Sequence, residues 1–254
     1  MDLGLDDRVF VVTGGSRGLG RATAQVLVAE GARVVIASRD ADQLSQVASE
    51  LGGPEQAFGV PTDLADPGAE ERLVAAAVAR FGRLDGALIS SGGPPAGSVM
   101  TTTDDLWRSA FESVFLGPVR VAKAVANAVS DSGGALSFVL SSSAREPIPG
   151  LALSNGLRPG LAGVVKDLAD ELAPRGVRVN GLMPGRITTD RTLELDAKAG
   201  RGDSARRRQE AAIPMGRYGD PIEFGTLAAF TLSAAASYLT GALIPIDGGS
   251  RRSL

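Results

Sequence analysis

Short apolar runs alternate along the chain with longer stretches in which apolar positions recur at helical spacing. The runs at Val9–Val12, Arg33–Ala37, Ala57–Val60, Leu84–Ile89, Leu136–Leu140, Val177–Met183 and Leu243–Ile246 predict seven strands. Each is separated from the next by enough chain for a crossover helix, so the rhythm is βαβ and the expected architecture is a parallel sheet covered by helices on both faces. No Ser/Pro-rich linker, low-complexity tract or internal repeat interrupts this rhythm, which predicts one domain over residues 1–254. Only the stretch from Arg186 to about Pro214 lacks clear periodicity; it carries Arg201, Arg206, Arg207 and Arg208.

Composition narrows the chemistry. A length of 254 residues suits one α/β core, and an aromatic share of 4% beside 33 glycines suits small residues that let helices approach a sheet closely. There is no cysteine and no histidine, which excludes disulfides, thiolate nucleophiles, the usual zinc clusters and every Ser-His-Asp arrangement. Acid–base work falls to Ser, Asp/Glu, Lys, Arg, one of the two tyrosines, or water, and no metal is expected. The acidic start Met1-Asp2-Leu3-Gly4-Leu5-Asp6-Asp7 is unlike a signal peptide, and no apolar stretch is long enough to span a bilayer, so the expectation is a soluble, cytoplasmic protein without membrane contact. A net charge of −3 gives no general attraction to nucleic acid.

The strand Val9–Val12 runs into Thr13-Gly14-Gly15-Ser16-Arg17-Gly18-Leu19-Gly20 and then a helical stretch, Arg21–Glu30. Strand, glycine turn and helix follow in the order that lets main-chain N–H groups and a helix N-terminus face a pyrophosphate. The spacing Gly14-x-x-x-Gly18-x-Gly20 after Thr13 resembles the glycine motif of the short-chain dehydrogenase/reductase family. Further matches follow in order. Asp63-Leu64 resembles the family's adenine-contacting pair, and Ile89-Ser90-Ser91-Gly92 stands in the place of its Asn-Asn-Ala-Gly. Gly176-Val177-Arg178-Val179-Asn180 and then Pro184-Gly185-Arg186-Ile187-Thr188-Thr189 resemble the stretch that closes over the nicotinamide, and Asp247-Gly248-Gly249 the C-terminal motif. The resemblance covers nearly the whole chain and implies a doubly wound Rossmann fold.

It also implies a set of cofactor contacts: Gly14, Ser16, Arg17, Gly18, Leu19, Gly20, Ser38, Arg39, Asp63, Leu64, Ser90, Gly92, Arg158, Pro184, Gly185, Ile187 and Thr189. Enzymes of this type that prefer NAD place an acid at the end of the second strand, where it would repel a 2′-phosphate. Here Ala37-Ser38-Arg39 ends that strand, and Arg39 with Arg17 can grip a 2′-phosphate, which favours NADP(H) over NAD(H). The competing reading leaves both arginines solvated, with Asp40 neutralising Arg39.

The family's active site uses a Ser, a Tyr, a Lys one turn after it and an Asn on the preceding helix. Counting from Ser141-Ser142-Ser143 and the helical run Leu161–Leu172, the resemblance assigns the serine role to Ser141, with Ser142 a near alternative. It puts Ser154 where Tyr belongs, Arg158 where Lys belongs and Val114 at the Asn. The only tyrosines, Tyr218 and Tyr238, lie far downstream without a Lys at the required offset. A serine hydroxyl is a far weaker acid than a phenol, and a guanidinium does not give up its proton near neutrality. Pro159 predicts that the helix begins or bends beside Arg158. Other sources for a proton are Glu146, next to Arg145, and water held by Ser141 and Ser154.

Three functions stay open on these residues. One is an NADP(H)-dependent reductase of a carbonyl, similar to 3-oxoacyl reductases, acting on a small molecule or an acyl thioester. Another is a non-redox nucleotide-binding or assembly partner, and the third is a lyase or isomerase using Arg158 as electrophile. The arginine-rich stretch reads either as a solvated helix face or as a flap whose cations attract a phosphate, coenzyme A or acyl-carrier surface. Helices around Trp107–Val129 and Leu157–Leu172 correspond to those through which relatives pair, so the resemblance implies a homo-oligomer, dimer or tetramer.

Overall fold

Parallel strands need crossovers, and the chain supplies helices for them. The computed structural model describes residues 2–129, 133–198 and 203–252. Its strands are β1 (Val9–Thr13), β2 (Arg33–Ser38), β3 (Ala57–Pro61), β4 (Gly86–Ile89), β5 (Gly134–Val139), β6 (Val177–Pro184) and β7 (Leu243–Ile246). They form one sheet in the order β3-β2-β1-β4-β5-β6-β7 with every neighbouring pair parallel. Each expected strand is present, with bounds within two residues of those read from the sequence. Around the sheet lie α1 (Gly18–Ala29), α2 (Ala41–Glu50), α3 (Ala69–Phe81), α4 (Asp104–Ala110), α5 (Gly117–Ala128), α6 (Ala152–Leu172), α7 (Asp190–Lys198), α8 (Asp203–Ala211) and α9 (Pro221–Leu232). A π-helical turn, Phe111–Leu116, joins α4 to α5.

Successive strand residues face opposite sides of the sheet. Val9 and Val11 enter one apolar cluster with Leu73, Val121, Val125, Leu161 and Val165 from α3, α5 and α6. Phe10 and Val12 enter the other, with Leu27, Leu44, Phe224 and Ala228 from α1, α2 and α9. Both faces of the central strands are therefore buried, which is why they read as unbroken apolar runs. The layer of α1 and α9 depends on a small residue: a Cβ on Gly225 would stand 2.7 Å from the Ala22 carbonyl oxygen.

Helix α6 departs from expectation. It begins at Ala152, and Pro159 lies inside it on the exposed face instead of starting it. Leu153, Leu157, Leu161, Val165, Ala169 and Leu172 are all buried along one stripe that passes through the proline. An interior proline costs about 3 kcal/mol, whereas full burial of each large apolar side chain is worth about 1.5–3 kcal/mol. The stripe outweighs the missing N–H.

The stretch without clear periodicity folds into α7 and α8, two nine-residue helices. Arg206 pairs with Glu210 at 3.0 Å and lies over the Tyr218 ring, 5.1 Å from its centroid. Arg207 and Arg208 are exposed, and Arg201 lies outside the described residues. No helix among the described residues is long and apolar enough to cross a membrane.

Candidate functional site

Because the strands are parallel, all their C-terminal ends meet on one edge. The order reverses between β1 and β4, so crossovers leave in opposite directions and a crevice opens there. The glycine turn fills the β1 side. Gly14 and Gly18 adopt φ of 63° and 54°, left-handed values that suit glycine. A Cβ on Gly20 would stand 2.2 Å from the Gly14 carbonyl oxygen, so the turn is folded more tightly than a side chain allows. Helix α1 opens at Gly18, earlier than the Arg21 read from the sequence, and Arg17 at its N-cap is extended and gives no side-chain cap. Its first N–H groups therefore face the crevice without a side-chain partner, as a diphosphate requires. Ser16 is buried, Leu19 half-buried and Arg17 exposed.

Thr13 ties this turn to the opposite wall. Its hydroxyl donates to the Ser90 carbonyl at 2.9 Å and accepts from the Ser90 N–H at 2.7 Å. Gly92 follows on an exposed loop. At the end of β2, Arg39 is exposed and Ser38 half-buried, while the Asp40 carboxylate accepts the Gln43 N–H at 3.0 Å as the N-cap of α2. Asp40 is thus spent on its helix. Past β3, Asp63 accepts the Ala65 N–H at 2.9 Å beside Leu64. Pro184, Gly185 and Ile187 leave β6 toward the same edge; a Cβ on Gly185 would stand 2.5 Å from that of Asp247, and one on Gly18 would lie 3.5 Å from the Thr189 methyl. Residues remote in sequence, Thr189 and Gly18 among them, are thereby brought together. Among the described residues, no group of three acidic or other metal-ligating side chains could hold a metal ion.

Beyond β5 the chemistry is hydroxylic. Ser141 accepts the Ser143 N–H on its Oγ at 3.1 Å. The partner of Ser154, however, is Ser143: their hydroxyls are 2.8 Å apart and both residues are buried. Sequence spacing singled out Ser141 and Ser142 and passed over Ser143, although the serine triplet itself was visible. One turn along α6, Arg158 is 4% exposed. Its Nη1 donates to the Val139 carbonyl at 2.8 Å and its Nη2 lies 3.5 Å from that of Ser91. Among the described residues, Arg158 Nε and the Ser91 hydroxyl have no hydrogen-bond partner. Burial lowers the pKa of Arg158 to about 10, so it remains a cation at neutral pH. Val114 is buried within the π-helical turn.

The remaining candidates stand apart from this cluster. Arg145 and Glu146 are not paired with each other: Arg145 Nη2 lies 3.5 Å from the Leu243 carbonyl, and Glu146 faces Arg251, 3.8 Å from its Nη1. Tyr238 is fully exposed ahead of β7. Tyr218 is buried at the foot of α7 and α8, where its hydroxyl donates to Asp196 at 3.0 Å and Arg186 reaches the same carboxylate at 2.8 Å. Arg191, at the start of α7, donates to the Pro94 carbonyl at 2.6 Å across the crevice. Its side chain crowds Gly93, which a search for glycine motifs alone does not flag.

An open parallel sheet with a glycine-lined turn at the reversal point defines a doubly wound α/β protein of the kind that takes dinucleotides at that crevice. A family model described as enoyl-(acyl carrier protein) reductase matches residues 14–251. The 3-oxoacyl-[acyl-carrier-protein] reductase of Salmonella typhimurium is 32% identical over 248 residues, covering 97% of this chain and 98% of that one. Among solved structures, L-sorbose reductase from Gluconobacter frateurii, complexed with NADPH and L-sorbose, superposes with a TM-score of 0.94 at 26% identity over 100% of both chains. A short-chain oxidoreductase from Pseudomonas aeruginosa PAO1 containing an atypical catalytic center gives 0.89 at 27% identity, over 99% of this chain and 100% of that one. The chain belongs to the short-chain dehydrogenase/reductase family, and these relatives are oxidoreductases.

Proposed function

We propose that the protein is an NADP(H)-dependent oxidoreductase interconverting a carbonyl and an alcohol, on a small molecule or an acyl thioester, through a non-standard catalytic site. The observation that carries this reading is the buried Ser143–Ser154 hydroxyl pair, one helical turn from Arg158 at the end of β5, facing a crevice that also holds the glycine turn. Ser154 and Arg158 take the places of the family's tyrosine and lysine. The glycine turn and the N-terminus of α1 hold the diphosphate, Arg17 and Arg39 the 2′-phosphate, Asp63 and Leu64 the adenine. Ser38, Ser90 and Gly92 border the nucleotide, and Pro184, Gly185, Ile187 and Thr189 close over the nicotinamide, which supplies the hydride.

Ser141 already accepts a main-chain N–H, so its O–H is free to donate to a substrate oxygen. Ser154 and Ser143 orient the water that delivers the proton, being too weakly acidic to deliver it themselves. The fixed cation of Arg158 stabilises negative charge developing on the substrate oxygen, which lowers the barrier to hydride transfer in both directions. Positioning alone supplies much of the acceleration.

A second reading rests on a specific contact: the Arg158 guanidinium is engaged by the carbonyls of Val139 and Ser91, which suits a non-redox nucleotide-binding or assembly partner. Titrating NADPH and NADH by fluorescence, then following reduced-nicotinamide absorbance with ketones and acyl thioesters, separates the two. Tight NADPH binding with turnover is expected. Binding without turnover favours the second reading, and no binding of either nucleotide removes the cofactor assignment. Residues 1–254 act as one unit in the cytoplasm in this reading, paired into dimers or tetramers through α4, α5 and α6, where Leu106 and Phe111 are exposed and Phe111 stacks on Phe115 at 5.3 Å. Light scattering that finds only monomers at micromolar concentration would overturn the pairing.

A further inference from the structure

Past β7 the chain turns back on itself. Asp247 holds the turn with both carboxylate oxygens, accepting the Gly249 N–H at 2.9 Å and the Arg251 N–H at 3.1 Å, while the Ser250 hydroxyl donates to its carbonyl at 2.7 Å. The turn packs on three segments at the C-terminal edge of the sheet: Gly185 beside Asp247, Ile213 and Pro214 at the foot of α8, and Met215, whose N–H donates to the Gly248 carbonyl at 3.2 Å. It thereby delivers the Arg251 side chain, 7% exposed, to the serine loop, where Nη2 donates to the Ser142 carbonyl. Among the described residues, Arg251 Nε and Nη1 are buried without a hydrogen-bond partner, and the nearest carboxylate, on half-exposed Glu146, stands 3.8 Å from Nη1.

A buried guanidinium with two unused donor nitrogens is costly unless an anion completes it. We infer that Arg251 is the anchor of an oxyanion subsite on the substrate side of the crevice, and that the substrate carries a carboxylate or phosphate group there. The placement is specific. Ser142, whose carbonyl Arg251 holds, lies between Ser141 and the Ser143–Ser154 pair, so an anion on Arg251 sits beside the hydroxyls to which a substrate oxygen would bind. Nε–H shares an edge of the planar guanidinium with Nη2, which the Ser142 carbonyl engages, and Nη1 lies on the Cδ side, so each unused nitrogen offers an anion a separate charge-assisted hydrogen bond. Glu146 is the competitor for Nη1, held at a distance too long for a hydrogen bond. The assignment of the ligand as substrate rests on the oxidoreductase reading; the anion site itself does not.

The test titrates inorganic phosphate and malonate calorimetrically into the full-length protein, with and without NADPH, and repeats both titrations on Arg251→Gln and Glu146→Gln. At least one anion is expected to bind, with affinity falling roughly tenfold or more in Arg251→Gln and rising in Glu146→Gln. The tighter of the two anions identifies phosphate or carboxylate as the group recognised. Equal affinity in wild type and Arg251→Gln, or no binding of either anion to the wild type, overturns the subsite. If Arg251→Gln does not fold, Glu146→Gln decides: tighter binding supports the site and unchanged binding overturns it. NADPH titrated in parallel keeps the two readings apart, because loss of nucleotide binding by the wild type sinks the cofactor assignment while the anion titrations still report on Arg251.

Discussion

In the proposed site Arg158 and Ser154 carry the sharpest question at the scale of single residues, because they stand where the family resemblance expects a lysine and a tyrosine. Restoring the family's pair by the double change Ser154→Tyr and Arg158→Lys should raise reductase turnover by roughly 10²-fold, the lower end of what a positioned general acid contributes. An unchanged or lower rate, in a variant that still binds NADPH, would show that the proton arrives by another route. Both residues are buried on α6, and that they share one face of a helix was legible in the sequence from their four-residue spacing. The partnership of Ser154 with Ser143 was not. Which hydroxyl in a serine triplet turns inward depends on the tight turn after β5, and spacing along the chain does not encode that turn. The same limit hid Arg251 and Arg191, whose positions are set by chain segments that meet only in the folded molecule.

At the scale of elements, α6 shows an apolar stripe overriding a local breaker. The Pro159 ring leaves the Asn155 carbonyl without its intrahelical donor, yet the residue is exposed, so nothing in the core depends on the ring. Pro159→Ala should therefore stabilise the protein, by about 1–3 kcal/mol, read as a rise in thermal midpoint; a fall would mean that the helix needs its proline-induced shape. The opposite sign is expected on α9. Gly225→Ala pushes a methyl to 2.7 Å from the Ala22 carbonyl and should cost about 1–3 kcal/mol. Strands were read well because apolar runs between turn residues are a local signal. The arginine-rich stretch was open to a helix reading, and α8 is a helix there, but the bounds of α7 and α8 were not legible because short helices without a wide apolar face give no clear period.

Across the whole molecule, stability should depend on acid in a defined direction. Burial opposes ionisation of Asp85, but hydrogen bonds from Arg83, the Val9 N–H and Arg8 outweigh it and hold the carboxyl below its ordinary value. Glu223, which caps α9 and pairs with Arg217 at 2.6 Å, is lowered to about 2 by that pairing. Both are ionised above their ordinary values, 3.8 for the aspartate and 4.5 for the glutamate, and their stabilisation is present there. As pH falls below these values toward 2, the unfolded chain takes up protons first and the stabilisation is lost. Thermal melts should show a midpoint falling through this window, with a shallower fall in Asp85→Asn. That variant should also lose about 2–3 kcal/mol at neutral pH, less than a fully buried pair because both arginines are partly solvated. A midpoint flat between pH 5 and pH 2 would contradict these roles. The parallel sheet of seven strands and both apolar layers agree with what alternation of pattern predicted, since parallel pairing needs the crossovers that the chain length permits; the order of the strands is a finding of the structure alone.

The Arg186–Asp196–Tyr218 contacts also fasten α7 to the end of β6 in a way that dissolved ions barely reach. Asp196 is buried, and its 2.8 Å contact with Arg186 is no longer than the screening distance of about 3 Å in 1 M salt. Ions weaken such a pair far less than one on the open surface, so α7 should keep its place on β6 in brine as in dilute buffer.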